Sequence, residues 1–374
     1  MLFKKILLSC VILGILLSVT GCWDAMDVNG RTLIVTVISD KQGDDFAFYI
    51  ETPNIGMGQN QQIGAADNKQ KYYTLYAKGS TFADARRHLN AKVDNPIFLG
   101  TVKALVITDE LAKYGIEEYM LRMQSDIQYR KALNVVTSFS HPNDILSVMP
   151  PNNVSVGESI DDTIAGLNAL GKIEIYTVSD ILEFIYSKTC FVMINMDVVD
   201  NVLTYDGYTV FHNNKMIDFI PVEESRGLLW ILNDAGKRIY VLPVKDCNAT
   251  MEADLNRKTI TPYYENGKLT FDLQYQLNTQ VMYLSKNIKL DETQQKNLKS
   301  ELQNKVAEEI ADAIKHSRGI KCDYLHFKEY FRIKYPNEIE TINWLDTYLN
   351  AEFKISVESN LTFGSMMDFE ATGD

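Results

Sequence analysis

A cysteine that follows an apolar run is the residue of this chain whose type and position best suit covalent modification. Gly21 stands directly before Cys22, and a basic start and an apolar run over residues 6–19 precede both. A bilayer-spanning helix needs about 20 apolar residues, so the shorter run is typical of an export signal. The order of basic start, apolar run, small residue and cysteine predicts a bacterial lipobox. In a lipobox, the Cys22 thiol accepts a diacylglycerol and residues 1–21 are removed as a lipoprotein signal peptide. The alternative is an ordinary secretory signal with a chance cysteine.

No other stretch has the spacing of an enzyme site. The sequence contains no H-E-x-x-H, G-x-S-x-G, Walker or C-x-x-C motif. Gly56-Met57-Gly58 lacks the preceding strand and following helix of a phosphate loop, and we interpret it as part of a loop. His316 and His326 are not spaced as a pair of metal ligands, and we expect ordinary surface or half-buried imidazoles. We therefore predict no catalytic residues, no metal site and no cofactor.

Three cysteines remain once the export signal and Cys22 are set aside. They are Cys190, Cys247 and Cys322. Because their number is odd, at least one must be free, and the wide spacing is typical neither of a disulfide framework nor of a zinc site. We expect buried apolar thiols, and the sequence leaves their pairing open.

Length and charge narrow the class of protein. The chain has 374 residues with 46% hydrophobic and 23% charged residues, which is typical of globular proteins and predicts two or three domains. The net charge is -12, and loss of Lys4 and Lys5 makes the mature chain more acidic. Such a surface is a poor match for nucleic acid and for anionic lipid. Membrane attachment must then come from the acyl chain and from protein partners.

The first part of the mature chain, residues 22–200, has the pattern of an α/β domain. Apolar runs predict buried strands that alternate with helices, and Thr81 with Asp84 has the pattern of a capped helix start. A second helix is expected to start at Thr108 and to break near Gly115. The predicted strands cover residues 31–39, 46–50, 102–107 and 132–139, and further helices are expected after Pro142, at 160–170 and at 180–187.

The pattern changes after residue 200. Short apolar runs over residues 201–245 predict a small middle β-rich domain, with a hairpin turn at Asn213-Asn214. Residues 246–374 predict an α+β domain, because Asn266-Gly267 is a hairpin signal before a strictly alternating strand. A long amphipathic helix is expected over residues 292–317, packed on an antiparallel sheet, with an alternating strand at 353–363. The predicted fold class is α+β or mixed α/β, in three domains with mixed and antiparallel sheets.

Short motifs along the chain resemble one family. The start Gly21-Cys22-Trp23-Asp24, the helix start over residues 79–85 and the strand over residues 207–211 resemble those of the Ger(x)C lipoproteins, the C subunits of spore germination nutrient receptors. Residues 79–85 are similar to the family pattern G-x-T-x-x-E-A, and residues 207–211 to its G-x-A-V-F. Weaker similarities in the same order are Phe98-Leu99-Gly100, Val106-Ile107, Glu110-Leu111-Ala112, Gly115-Ile116, Asp323, Tyr335-Pro336, Trp344 and Gly364.

The resemblance implies a non-enzymatic receptor subunit. It would act with A- and B-type integral membrane subunits on the outer face of the spore inner membrane, held there by Cys22. The complex would sense a small nutrient, such as an amino acid or a sugar, and trigger germination. Tight binding of the nutrient by this subunit alone is not expected. The resemblance also implies three mixed α/β domains, in agreement with the division drawn from the residues.

Two other classes of protein stay open at this level. A solute-binding lipoprotein of a transporter needs two similar doubly wound lobes, which the hairpins and the C-terminal pattern disfavour. A cell-envelope hydrolase needs a nucleophile beside a base, and no such pair is visible. The sequence does not identify the nutrient or the surfaces that meet the partners.

Overall fold

The computed structural model describes residues 30–54, 71–150, 154–286 and 288–363. The predicted signal peptide, Cys22 and the Gly56-Met57-Gly58 stretch lie outside these residues. The strands in chain order are β1 (Thr32–Leu33), β2 (Thr36–Gln42), β3 (Asp45–Pro53), β4 (Tyr72–Gly79), β5 (Ile97–Phe98), β6 (Ala104–Thr108), β7 (Val135–Ser138), β8 (Phe191–Val199), β9 (Val202–His212), β10 (Lys215–Pro221), β11 (Lys237–Val244), β12 (Cys247–Glu265), β13 (Lys268–Leu284) and β14 (Glu352–Phe363).

Helices connect and cover these strands. In chain order they are α1 (Phe82–Asn90), α2 (Asp109–Tyr114), α3 (Glu117–Ser125), α4 (Pro142–Ser147), α5 (Val156–Ala169), α6 (Val178–Ser187), α7 (Arg226–Leu232), α8 (Glu292–Gly319), α9 (Phe327–Lys334) and α10 (Trp344–Leu349). The predicted caps are present, since the Thr81 side chain accepts from the Asp84 backbone and that of Thr108 from Leu111. The break at Gly115 separates α2 from α3.

An eight-stranded mixed sheet dominates the first part of the chain. Its strand order is β10-β9-β8-β7-β6-β2-β3-β4. The central pairs β2–β6, β6–β7 and β7–β8 are parallel, and the flanking pairs are antiparallel hairpins. Parallel neighbours need crossover connections, which the helices between β6 and β8 provide. The alternation predicted for this region is confirmed.

Both faces of this sheet are buried. Along β6, Ala104 and Val106 face one core while Leu105 and Ile107 face the other. Helices α1, α2, α3 and α6 contribute to the core that contains Leu105. The core that contains Val106 continues into the second sheet. Burial on both faces explains why β6 reads as a continuous apolar run rather than as an alternating strand.

The second sheet has four strands in the order β11-β12-β13-β14. The hairpin predicted at Asn266-Gly267 joins β12 to β13, and both turn residues have positive φ angles of 51° and 77°. Helix α8 covers the inner face of the sheet, as predicted. Its buried stripe shares one core with the alternating residues of β13. The stripe consists of Leu298, Leu302, Val306, Ile310 and Ile314.

The last strand departs from the expected antiparallel pattern. β14 pairs parallel with β13, with Phe271 opposite Phe353 and Tyr275 opposite Val357. The chain leaves β13 at one end of the sheet and returns through α8, α9 and α10 to the other end, so the two strands must run in the same direction. The second sheet is therefore mixed, and the α+β class holds.

Residues 201–245 contribute to both sheets. β9 and β10 extend the eight-stranded sheet, while β11 begins the four-stranded one. The apolar run at residues 228–232, expected in a β-rich segment, forms helix α7. A short run that is apolar on every side does not distinguish a strand from a buried helix. The borders at residues 200 and 245 stay a prediction.

Gly207 shows why one predicted motif requires glycine. Its φ angle is 145°, and a Cβ atom there would collide with the Ile220 carbonyl oxygen of the neighbouring strand β10. Both the backbone conformation and the close approach exclude a side chain.

We expect Gly207→Ala to lower the free energy of unfolding by about 3 kcal/mol or more, since strain at positive φ and overpacking act together. Gly166→Ala in α5 is the matched control, because a Cβ there meets no atom within 4 Å. The control should stabilise the protein by about 0.5–1 kcal/mol. Urea unfolding of both variants provides the measurement. Equal stability of the two variants would contradict the role assigned to Gly207.

Candidate functional site

A disulfide ties the two sheets together. It joins Cys190, directly before β8, to Cys322, shortly after α8, with a Cα–Cα distance of 5.8 Å across 132 residues of sequence. The expectation that these two residues are buried free thiols is therefore wrong. Sequence spacing did not reveal the pair because the two residues approach only when the second sheet packs on the first. Cys247 is free and buried, as expected.

A half-buried carboxylate organises the packing of α7, β11 and α8. Oε2 of Glu309 accepts hydrogen bonds from the Tyr240 hydroxyl at 2.7 Å and from Trp230 Nε1 at 3.3 Å. Arg226 Nη1 lies 3.8 Å from the other carboxylate oxygen. Burial raises the pKa of Glu309, and the hydrogen bond from Tyr240 opposes that shift. These groups come from three elements, α7, β11 and α8, so together they fix how the helices sit on the sheet.

A buried arginine lies beside this carboxylate. Arg238 of β11 is 6% exposed, and its guanidinium carbon lies 3.8 Å from the centre of the Trp230 ring. Burial lowers the pKa of Arg238 to about 10. Stacking on an indole face is a favourable place for a guanidinium because the ring quadrupole attracts the cation. The stacked pair of Arg238 and Trp230 is therefore a further contact between α7 and the second sheet.

A crevice of about 250 Å³ opens where the two sheets meet. Glu174 and Tyr176 line it from the segment before α6, and His326 and Tyr330 line it from α9 and its start. The remaining lining residues are Leu232, Leu325, Glu329 and Ile333. Its lining therefore comes from helices and connecting segments that lie far apart in the sequence.

Burial changes the proton affinity of two groups in the crevice. Desolvation raises the pKa of Glu174 to about 7, although the nearby Lys258 ammonium opposes the shift. Desolvation lowers the pKa of His326 to about 4, so its imidazole is neutral at pH 7. Lys258 is fixed by the Ile231 and Asn233 carbonyl oxygens at 2.7 and 3.0 Å. The crevice therefore places a carboxyl, a neutral imidazole and two phenols around a small volume.

The lining of the crevice includes no serine, threonine or cysteine that could act as a nucleophile. Among the residues that the structure describes, no group of three or more His, Cys, Asp or Glu side chains is placed to hold a metal ion. Within the same residues, no helix has both the length and the apolar character needed to cross a bilayer.

The residues singled out in the sequence mostly have structural roles. His316 lies 2.9 Å from the Tyr324 hydroxyl and 3.2 Å from Asp218, at the end of α8. Asp323 accepts hydrogen bonds from two backbone amides at the start of α9. Glu174, Arg238 and Glu309 were missed, because isolated charges give no local signal of burial.

Comparison with known proteins identifies relatives of this chain in sequence and in fold. The model for "Spore germination protein N-terminal domain" matches residues 24–198, and that for "Spore germination B3/ GerAC like, C-terminal" matches residues 206–363. The fold resembles the crystal structure of the GerBC protein with a TM-score of 0.58 and 13% identity, covering 87% of this chain and 96% of that one.

Curated proteins of Bacillus subtilis (strain 168) align along nearly the whole chain. Spore germination protein KC is 21% identical, and the alignment covers 95% of this chain and 94% of the relative. The putative spore germination protein YfkR is 20% identical, and the alignment covers 87% of this chain and 88% of the relative. The family is one of receptor subunits rather than enzymes, with a role in the spore. The two matched domains show that the chain belongs to the GerAC-like family of spore germination proteins, the C subunits of germinant receptors.

Proposed function

We propose that this chain is the lipid-anchored C subunit of a nutrient receptor that triggers spore germination. It acts with A- and B-type integral membrane subunits, on the outer face of the spore inner membrane. The observation that carries the proposal is the match of both family domains, over residues 24–198 and 206–363. Its role is assembly and signalling without catalysis.

Two observations independent of the family support an exported, anchored protein. Residues 6–22 have the order of an export signal followed by a lipobox cysteine. The disulfide between Cys190 and Cys322 is of a kind that persists in oxidising surroundings and is rare in the cytosol. Both features fit a protein that folds after leaving the cytoplasm.

The nutrient is sensed by the complex, and this subunit is not its main binding site. The crevice at the sheet junction is small, about 250 Å³, and its lining is shared between two carboxylates, phenols and aliphatic side chains. A solute-binding lipoprotein would instead enclose its ligand between two similar lobes. Here the two sheets differ in strand number and in topology. This difference favours the receptor subunit over the transporter protein.

Co-purification from spore membranes tests the proposal. The full-length chain, tagged after its last residue, is isolated from detergent-solubilised membranes in a strain that also carries its A- and B-type subunits. We expect both subunits to accompany it, and deletion of the chain to abolish germination with one class of nutrient only. A chain that retains amino acids or sugars with micromolar affinity in calorimetry, and captures neither subunit, would instead indicate a solute-binding protein.

A further inference from the structure

Strand β14 has a long edge that no other described strand covers. It runs for 12 residues and, among the strands that the structure describes, pairs only with β13. Among the described elements, β13 and α8 make its main contacts, and α8 packs on its face rather than along its edge. The outer strand β10 of the first sheet is different, since α2 lies against it. A free edge of this length presents unpaired amide and carbonyl groups to any strand that can approach.

The apolar row of β14 is incompletely covered. Phe353, Ile355 and Val357 are opposite Phe271, Leu273 and Tyr275 of β13, and so point to the same face. The β13 residues are fully buried, whereas the three β14 residues are only half-buried. A groove of about 790 Å³ separates α8 from the start of β14. The row is therefore an inward-facing apolar surface with no neighbour on its outer side among the described residues.

We propose that this edge is the docking surface for β14 of a second copy of this chain, in an antiparallel pairing with a two-fold axis at Ser356. The two four-stranded sheets would then form one continuous sheet of eight strands. Because the axis is perpendicular to the sheet, both α8 helices lie on the same face. Each strand also covers the half-buried row of the other.

The charges of β14 select the second copy and this register. With the axis at Ser356, Lys354 lies opposite Glu358 of the second copy, twice, and Ile355 lies opposite Val357, twice. Directly opposite side chains have Cβ atoms about 4.5–5.5 Å apart, close enough for these pairs to attract. Moving the axis to Ile355 sets Glu352 against Glu358, and moving it to Glu358 sets that residue against itself.

Two further registers lie close to this one. An axis at Lys354 sets that residue against itself and is repulsive. An axis at Val357 is not repulsive, but it places Lys354 against Asn360 and Glu358 against Ser356 and so loses both ion pairs. Lys354, Ser356 and Glu358 are exposed on the outer face of the strand, so their substitution does not disturb the core. A strand of this length buries less area than a standard stable interface, so the dimer forms reversibly as concentration rises.

Charge reversal tests the pairing. Sedimentation velocity of the full-length chain in a non-ionic detergent should show a monomer–dimer equilibrium. Lys354→Glu alone and Glu358→Lys alone should each weaken association about tenfold or more, because two attractive pairs become repulsive. An equal mixture of the two variants should regain association, since each heterodimer has two opposite-charge pairs again. The double variant K354E/E358K should associate like the original chain.

The control for charge reversal is Lys245→Glu, at the exposed turn between β11 and β12. It changes the net charge as much as Lys354→Glu does and should leave association unchanged. A chain that stays monomeric at every concentration would overturn the proposal. So would dimers that appear only after removal of residues 364–374, which would assign the edge to the chain's own terminus. Single variants that lose A- or B-type subunits while still dimerising would assign it to those partners.

Discussion

The Cys22→Ala variant is expected to fold normally, to fractionate away from membranes and to leave spores slow or blind to the nutrient that this receptor serves. The proposed role of Cys22 is to carry lipid. Burial of acyl chains contributes about 0.8 kcal/mol per CH₂, so one chain binds reversibly while two or more hold a protein in place. The acidic chain, with a net charge of -12, gains no attraction from anionic lipid to replace them.

The loss of function is expected because the variant would no longer be held at the membrane beside its partner subunits. A tether beside the membrane subunits raises their effective concentration toward the millimolar range of short linkers, so a weak contact becomes a stable complex. Membrane fractionation, circular dichroism and germination assays provide the measurements. Cys10→Ala is the matched control, because residue 10 lies within the predicted signal and should leave all three results unchanged. A Cys22→Ala chain that still sediments with membranes and supports germination would show that protein contacts suffice or that lipid is attached elsewhere.

Removal of the Cys190–Cys322 disulfide should produce the largest loss of stability in the folded part of the chain. The bond closes a loop across 132 residues, and a cross-link over such a length restricts the unfolded chain strongly. The chain-entropy account gives about 5 kcal/mol, and removal of native disulfides usually costs about 2–5 kcal/mol. The double variant Cys190→Ala/Cys322→Ala should therefore unfold at clearly lower urea concentration than the original chain.

Treatment with a reductant distinguishes the stability that the disulfide bond contributes from the stability that the packing of its two side chains contributes. The original chain should lose stability when reduced, whereas the double variant should be insensitive to reductant. Cys247→Ala is the control, since Cys247 is buried but unbonded, and it should keep the full response to reductant. A reduced original chain as stable as the oxidised one would show that the disulfide contributes nothing.

Local elements were predictable because their causes are local. A cap places an acceptor three residues before a free amide, and Thr81 and Thr108 do so. The stripe of α8 repeats every four residues, and the turn at Asn266-Gly267 needs two residues that tolerate positive φ. Such patterns lie within a few residues of sequence, where they can be read without knowledge of the fold. Helix α7 was missed because a short run buried on every side has no period.

The sequence by itself determined the hairpin, the long helix and the last strand of the C-terminal region, the mixed class of the fold, the absence of familiar enzyme motifs and the likeness to one family. Only the tertiary structure decided which distant elements meet. It paired Cys190 with Cys322, set β14 parallel to β13 and brought Glu174 and His326 to one crevice. The physical reason is that these contacts depend on how whole sheets and helices pack. Packing joins residues that lie far apart in the sequence through shape and burial, which leave no periodic trace in the chain.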